Sequence, residues 1–282
     1  MANIINAIIN LTNAPKYELM AYSKNHNRAN AMGDALEEYV KDIFADTVSE
    51  KDEAIRMQKI DKVFSYSGNQ NNPPDSMLMG GDAIEVKKIE SKDASLALNS
   101  SYPKHKLYSN SPLLSKTCKE CEVWTEKDII YVVGIVKDND IQSMAMVYGS
   151  EYCANNEVYE RIKNTIKEGV GTIPDIEFAE TNELAKVKKV DPLGITYLRV
   201  RGMWGIENPF TVFKYIYKRD FTNKFNFMAI IRKEKYDSFD NKKDLEEASK
   251  NNKDLKIEDK QIKDPNNPAK LIDVKLITYQ VK

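Results

Sequence analysis

The segment DIIYVVGIV at residues 128–136 constrains the fold of this chain more than any other part of its sequence. It is too short for a membrane span, which needs about 20 apolar residues. A continuous apolar run of this length is typical of a strand that is buried on both faces of a sheet. We therefore expect a mixed α/β or α+β fold, with helices packed against a central mixed sheet.

The segments on either side of this run agree with that architecture. Residues 30–44 and 156–170 predict amphipathic helices, because their apolar residues recur at i, i+3 and i+4. Residues 143–149, SMAMVYG, predict a strand beside the buried one. The lysine- and aspartate-rich stretch between about 233 and 271 predicts a solvated helix with flanking loops.

Charge and cysteine content limit the classes of function. Lys and Arg total 42 and Asp and Glu total 43, so a surface that binds nucleic acid would have to be local. The acidic residues would then be gathered elsewhere. This arrangement suits enzymes that cut DNA, because metal-binding carboxylates must lie beside phosphate-binding cations. Three cysteines do not suggest a disulfide framework, and the start of the chain has no secretory pattern. We expect a cytoplasmic protein with no membrane partner.

A predicted hairpin carries the strongest chemical pattern. Residues 75–79 and 83–88 predict two strands joined by the turn residues Gly80 and Gly81. Side chains two apart on a strand share a face, so Glu85 and Lys87 would lie together, with Asp75 at the start of the partner strand. Carboxylates that hold Mg²⁺ beside a lysine that assists a water molecule are suited to phosphodiester hydrolysis.

The pattern is not unique by composition alone. Six E-x-K or D-x-K triplets occur in the chain, but only the one at Glu85 combines a preceding Pro-Asp dipeptide, a hairpin and apolar alternation. On the residues alone, the alternative that Glu85 and Lys87 form a surface ion pair on an ordinary strand stays open.

Two adjacent glutamates lie on the first predicted amphipathic helix. At about 100° per residue, the apolar stripe centres near Leu36, so Glu37 lies at its border and Glu38 lies on the opposite face. We therefore expect Glu38 to be a solvated surface residue, while Glu37 points along the edge of the core.

Beyond these motifs, the chain resembles the PD-(D/E)xK nuclease superfamily and, within it, the NgoPII-type restriction endonucleases, which read GGCC. The resemblance extends from about residue 4 to 217 and rests on five blocks: RANAMGDALEEYVKDIFA (28–45), NPPDSMLMGGDAIEVKKIESKDASLALNSSYPKHKL (72–107), EKDIIYVVGIV (126–136), AMVYG (145–149) and RVRGMWGIENP (199–209). It implies a nuclease core with recognition elements over residues 1–217 and a C-terminal elaboration over 218–282.

The resemblance also implies roles for individual residues. Asp75 and Glu85, with the backbone carbonyl of Val86, would be Mg²⁺ ligands, and Lys87 would position or deprotonate the attacking water. A glutamate on the first core helix often completes the site in this superfamily, and Glu37 fits that place.

The implied activity is that of a type II restriction endonuclease. It would hydrolyse both strands of duplex DNA at GGCC and leave blunt ends with 5′-phosphates. A palindromic site favours a homodimer, although a monomer that cuts the strands in turn stays possible. A cytosine methyltransferase would protect host DNA. The alternatives are a structure-specific nuclease with the same core, and a non-catalytic DNA-binding module.

Residues expected to contact DNA fall in two segments. The loop after the catalytic strand and a later arginine-containing strand offer groups for phosphate and base-edge hydrogen bonds. The candidates are Asn99, Ser100, Ser101, Lys104, Lys106, Arg199 and Arg201. The alternatives are an ordinary polar loop and arginines that pair with surface acids.

Cys118 and Cys121 form a CxxC pair without a second pair to complete a zinc site. A metal-stapled interaction protein is therefore a third, weaker alternative.

Overall fold

The computed structural model describes residues 1–19, 28–68, 72–98 and 100–282. The strands of these ranges follow one another along the chain as β1 (Phe64–Tyr66), β2 (Ser76–Leu78), β3 (Ala83–Ile89), β4 (Leu96–Ala97), β5 (Lys106–Tyr108), β6 (Glu126–Lys137), β7 (Asp140–Tyr148), β8 (Ala185–Val187), β9 (Leu198–Val200), β10 (Gly205–Ile206), β11 (Phe225–Arg232), β12 (Leu255–Asp264) and β13 (Asn267–Val281).

Nine of these strands form the central sheet of the described chain. Their order is β1-β2-β3-β6-β7-β11-β13-β12, and β5 pairs with β6. The β3–β6 and β7–β11 pairs are parallel, whereas β6–β7 and β11–β13 are antiparallel. The expected mixed sheet around a buried central strand is therefore confirmed.

Helices cover this sheet on both faces. They are α1 (Ile4–Asn13), α2 (Arg28–Ala45), α3 (Glu53–Val63), α4 (Lys116–Glu120), α5 (Gly149–Tyr152), α6 (Asn156–Gly171), α7 (Pro209–Val212), α8 (Lys233–Ser238) and α9 (Lys242–Asn251). None of these helices, in the part of the chain described, combines the length and apolar composition that a membrane crossing requires.

The placement of α2 matters most for the site. Its apolar stripe is fully buried against the sheet, as the sequence periodicity predicted. Gly134 of β6 makes this close packing possible, because a Cβ there would lie 2.6 Å from Cδ2 of Leu36. The glycine thus lets α2 approach the strand next to β3, and Glu37 follows Leu36 on the same helix.

The lysine- and aspartate-rich segment differs from its prediction. The sequence predicts a solvated helix with flanking loops here. Part of the segment is helical, in α8 and α9, but its last part forms the strand β12. β12 pairs along its length with β13 at the edge of the sheet. Its charged side chains suit an edge strand, since charge there discourages pairing with a second chain. An edge strand needs few apolar residues, so the sequence of β12 lacks the apolar pattern that would predict a strand.

Candidate active site

The predicted hairpin is confirmed and forms the base of the site. β2 pairs with β3 in antiparallel register, with Ser76 opposite Ile84. Gly80 in the turn has a φ of +65°, a left-handed conformation that glycine adopts at little cost. The ammonium group of Lys127 donates to the carbonyl oxygen of Gly81 at 2.6 Å and so fixes the turn.

Asp75 lies just before β2, where the pairing with β3 has ended. Because β2 begins at Ser76, no described strand pairs with β3 on this side beyond Ile84. The amide of Val86 instead donates to Oδ2 of Asp75 at 2.6 Å. Since the N–H and C=O of one residue in an extended strand point to the same side, the Val86 carbonyl faces the same edge.

Gly68 lies directly against the backbone of Asp75. A Cβ on Gly68 would lie only 2.1 Å from the carbonyl oxygen of Asp75, and its φ is +79°. Any other residue would have to move this backbone. No sequence pattern marks Gly68 as a site residue, because a glycine before a turn-rich loop is ordinary.

Glu85 and Lys87 share one face of β3, as the strand period requires. Lys87 Nζ lies 2.6 Å from Oε1 of Glu85 and 3.7 Å from Oδ2 of Asp75. This face does not open to solvent, since only 13% of the Glu85 side chain and 25% of the Lys87 side chain are exposed. The three charged groups therefore meet in a largely buried place, unlike a surface ion pair.

Burial and crowding shift the pKa values of these groups. Burial raises the pKa of Glu85 to about 7, and the nearby charge of Asp75 adds to this, while Lys87 opposes it. Burial alone would lower the pKa of Lys87, but Glu85 and Asp75 outweigh it and raise that pKa. Such displaced values are common where a site is arranged for chemistry.

Glu37 and Glu38 point to different surroundings. Burial, and then the charge of Asp75, raises the pKa of Glu37 to about 7, so Glu37 lies close to the hairpin carboxylates. Glu38 instead bonds Arg56 at 2.7 Å and Lys41 at 2.8 Å. The expectation that Glu38 is a solvated surface residue is therefore wrong, because Glu38 is part of an ion-pair network that links α2 to α3.

The oxygen donors around Asp75 fit a hard divalent cation. Oε2 of Glu85 is buried and has no hydrogen-bond partner among the described residues, so it is available as a ligand. With Asp75 and the Val86 carbonyl, it would make three oxygen donors on one edge of β3. Only two of these donors are side chains, and the described ranges contain no cluster of three or more His, Cys, Asp or Glu side chains that could hold a metal. Waters and a substrate phosphate would have to supply the other ligands, as is usual for Mg²⁺.

Lys104 lies deeper than a DNA-contacting residue would. The residue is only 5% exposed, and its Nζ lies 3.4 Å from the centre of the Tyr102 ring. Nζ is buried without a hydrogen-bond partner in the described structure. Burial lowers the pKa of Lys104 to about 8, while the charges of Glu160 and Glu85 oppose this. Lys104 is therefore a second lysine in the electrostatic surroundings of Glu85.

Three aromatic rings pack together between α6 and the segment that carries Lys104, and no sequence pattern relates them. Tyr102 and Tyr159 stack with 5.7 Å between ring centres, and Trp204 meets both rings edge-on. The Tyr102 hydroxyl also donates to Glu160 of α6 at 2.7 Å. These residues lie far apart in sequence and belong to no common motif, so only the fold reveals the cluster.

The remaining candidates for DNA contact lie in different surroundings. Ser100 is exposed and Ser101 half-buried in a turn, and Asn99 lies outside the described residues. Lys106 Nζ bonds Glu126 at 2.8 Å.

The two candidate arginines share one acid. The Nε of Arg199 lies 2.9 Å from Glu183, and that of Arg201 lies 2.6 Å from the same carboxylate. The fold thus brings them together on one exposed face, held by a shared acid.

The CxxC pair is not arranged as a metal site in the described chain. Both cysteines are free, and Cys118 is fully buried. Burial raises the pKa of the Cys118 thiol to about 11. Cys121 Sγ instead lies 3.2 Å from the Cys118 carbonyl oxygen.

Comparison with known proteins identifies the family of the chain. The family model of the NgoPII restriction endonuclease matches residues 2–263. A protein of Neisseria gonorrhoeae, the Type II restriction enzyme NgoPII, is 57% identical over 280 residues, which are 99% of this chain and 100% of that protein. No solved structure matches the chain. The chain therefore belongs to the NgoPII restriction endonuclease family and is a site-specific deoxyribonuclease.

Proposed function

We propose that this enzyme hydrolyses both strands of duplex DNA at GGCC, in a Mg²⁺-dependent reaction that leaves blunt ends with 5′-phosphates. The observation that carries the chemistry is the meeting of Asp75, Glu85 and Lys87 on the open edge of β3. Members of this family act on DNA, and enzymes of this kind commonly need a divalent metal. The choice of Mg²⁺ is supported by the all-oxygen donor set, and GGCC by the sequence resemblance.

Within this proposal, each residue has a separate task. Asp75, Glu85 and the Val86 carbonyl would hold the cation. When bound, such a cation neutralises charge on the phosphate and lowers the pKa of a coordinated water. As an ammonium group, Lys87 donates hydrogen bonds that orient the attacking water toward phosphorus, in line with the leaving 3′-oxygen. Glu37 supplies a further acceptor beside Asp75.

The contacts to DNA remain part of the proposal. Ser100, Ser101 and Lys106, with Asn99, follow the catalytic strand and are suited to backbone phosphates. Arg199 and Arg201 are suited to guanine edges, since bidentate arginine–guanine pairs are the commonest specific contacts. Their shared partner Glu183 would hold both guanidinium groups side by side until DNA replaces it.

The proposal extends to partners and location. A palindromic target is matched by a two-fold homodimer, in which each copy cuts one strand. A cognate cytosine methyltransferase would protect GGCC in the host, and both enzymes would act in the cytoplasm.

A digest of unmethylated phage DNA with Mg²⁺, with the fragment ends sequenced, tests this function. We expect discrete blunt fragments that end within GGCC. Glu85→Ala should reduce the rate by about 10²–10³-fold or more while it leaves DNA binding measurable. Glu90→Ala is the matched control, because this glutamate starts a rival E-x-K triplet and has a largely exposed side chain.

Other outcomes of the digest have definite meanings. Discrete fragments with another end sequence would refute GGCC but keep the chemistry. Cleavage without discrete bands would favour a structure-specific nuclease. A folded protein that binds DNA but does not cut it would favour a binding module.

A further inference from the structure

A short segment after α7 concentrates positive charge in a chain that is otherwise balanced. Residues 214–224, KYIYKRDFTNK, contain four basic residues and one acidic residue, a net charge of +3, whereas the whole chain carries −1. The acid is Asp220, whose Oδ1 accepts from the amide and the hydroxyl of Thr222 at 2.9 and 2.7 Å. Asp220 is thus engaged in its own turn, and the segment presents mainly cations.

Arg219 of this segment is fixed against the residues that follow β3. Its guanidinium donates to the backbone carbonyl of Lys92 at 2.8 Å. It also stacks 4.5 Å from the ring centre of Phe210 and 5.0 Å from that of Phe221. Only 6% of the Arg219 side chain is exposed, and Asp93 lies 3.7 Å from its Nη2. Arg219 is therefore a support for its neighbours rather than a free cation.

Two exposed lysines beside this support have aromatic rings rather than acids as neighbours. Lys92 Nζ lies 4.7 Å from the ring centre of Phe221, and Lys224 Nζ lies 4.9 Å from that of Tyr17. Neither ammonium group has a carboxylate oxygen within 4.0 Å in the part of the chain that the structure describes. Both charges are thus available to an anion from outside the chain.

Other exposed cations near the active site are already paired. Lys106 bonds Glu126 at 2.8 Å, and Arg199 and Arg201 share Glu183. Each of these must give up an acid before it binds a phosphate. The lysines at 92 and 224 have no such acid to give up, so they can neutralise a phosphate at a lower cost.

Lys92, Arg219 and Lys224 line one cavity of about 250 Å³, where β6 ends and β7 and β11 begin. Its described lining contains these three basic residues and one acidic residue, Asp140. A water molecule needs only about 10–15 Å³ of such volume, so a phosphate group with several waters fits. The cavity therefore offers an anion a place with an excess of positive charge.

The support of these lysines lies on the same face of the sheet as the catalytic side chains. Side chains two apart on a strand share a face, so Glu85, Lys87 and Ile89 point to one side of β3. Ile89 belongs to the same buried cluster as Phe210, the ring on which Arg219 stacks. A duplex that is bound over the catalytic residues therefore lies on the side of the protein from which the cavity is built.

Chain connectivity limits how far this cavity is from the catalytic lysine. Lys92 follows Lys87 by only five residues. An extended chain spans at most about 3.6 Å per residue, so the two Cα atoms are at most about 18 Å apart. Duplex DNA advances roughly 3.4 Å per base pair, and this distance thus corresponds to about five base pairs, or half a helical turn. The flank of a duplex held at the catalytic site reaches this far.

We propose that Lys92 and Lys224 bind backbone phosphates of the DNA duplex about half a helical turn from the scissile bond, and that Arg219 and Phe221 hold these lysines in place. Contacts to phosphates fix the position of a protein on DNA and carry no sequence information. The inference rests on the proposed function only in that a duplex is bound at Glu85, and it does not depend on GGCC.

The test is the affinity for a duplex of about 30 base pairs, measured in EDTA at several salt concentrations. The double variant Lys92→Ala/Lys224→Ala should weaken binding by about 10–10²-fold near 0.1 M salt. It should also reduce the slope of log K against log [salt] by about 1–2, since each phosphate contact contributes about 0.9. Lys92→Arg/Lys224→Arg keeps both charges and should bind like the unaltered protein.

Lys243→Ala/Lys253→Ala is the matched control. It removes the same charge from two exposed lysines, one in α9 and one just after it. α9 packs through Leu245 into the buried cluster on the other face of the sheet, away from the catalytic side chains. The control should leave both the affinity and the salt slope unchanged, and circular dichroism would check the fold of every variant.

A single uncharged methylphosphonate, moved step by step along the duplex, locates the contact. Placed about four to seven steps from the mapped cut, it should weaken binding of the unaltered protein by about 10-fold. It should not weaken the Lys92→Ala/Lys224→Ala protein further, because the phosphate and the lysines belong to one interaction. The cut is mapped by experiment, so the register is defined for any recognition sequence.

Equal salt slopes for the unaltered protein and the Lys92→Ala/Lys224→Ala variant would overturn the proposal. An equal loss in the control variant, or a loss that no methylphosphonate position reproduces, would overturn it as well. Cleavage at GGCC with unchanged salt slopes would refute this contact alone. A reduced slope in the variant, together with no cleavage at GGCC by the unaltered protein, would refute the proposed specificity and keep the contact.

Discussion

Replacing Glu37 by Gln should stabilise the metal-free protein at alkaline pH and slow cleavage at the same time. The carboxyl of Glu37 is partly buried and lies near Asp75, and both effects raise its pKa to about 7. A carboxyl with a raised folded pKa lowers stability as pH increases from its unfolded pKa toward the folded one. Gln has nearly the same shape and cannot ionise, so the variant avoids this loss.

The size of the effect follows from the pKa. A rise from 4.5 to about 7 corresponds to roughly 3 kcal/mol where the carboxyl is ionised in both states. Because Glu37 is only half-buried and solvent screens its charge, we expect about 1–2 kcal/mol at pH near 8. At about pH 5 the folded carboxyl is protonated, and the variant and the unaltered protein should differ by only a few tenths of a kcal/mol.

Urea unfolding in EDTA at these two pH values measures the difference, and cleavage in Mg²⁺ should be slower by about 10–10²-fold. Glu38→Gln is the matched control with the opposite sign. It loses the bonds to Arg56 and Lys41, so it should be less stable by about 1 kcal/mol and should cleave at nearly the normal rate. A Glu37→Gln protein that is destabilised near pH 8, or equally affected at both pH values, would refute the reasoning.

Two further substitutions test how the site is held. Gly68→Ala should reduce cleavage by about 10²-fold and the free energy of unfolding by about 2 kcal/mol, because its Cβ would meet the Asp75 carbonyl. Gly169→Ala is the control, because the space around its Cβ is open; it should leave cleavage unchanged and raise the free energy of unfolding by at most about 1 kcal/mol. If the two glycine variants behave alike in activity assays and urea titrations, this account of Gly68 is contradicted. Lys104→Met should slow cleavage by about 10-fold without loss of stability near pH 7, since it removes a buried cation that lacks a hydrogen-bond partner in the described structure and that acts on Glu85. A variant that cleaves at the full rate in the same assay would mean that Lys104 only fills space.

The elements of the fold differ in how far the sequence predicts them. The central strand was predictable because strands that are buried on both faces need continuous apolar sequence. The edge strand β12 was not predictable. It pairs with a strand on one side only, and most of its side chains are not buried. The segment after Lys233 therefore looked like a solvated helix, which is correct only for α8 and α9.

Within the site, the local geometry was predictable from residue spacing. The two-residue period of a strand places Glu85 and Lys87 on one face, and the glycine turn returns the chain so that Asp75 lies beside them. These relations depend on neighbours within about a dozen residues, so spacing alone could indicate them.

The surroundings of this hairpin depend on how the whole chain packs. It brought Glu37 from α2 toward Asp75 and Lys104 toward Glu85, and it placed Gly68 against the Asp75 backbone. These groups belong to segments whose relative positions depend on how helices and strands pack. Packing joins residues that are distant along the chain, and no local pattern records which of them will meet.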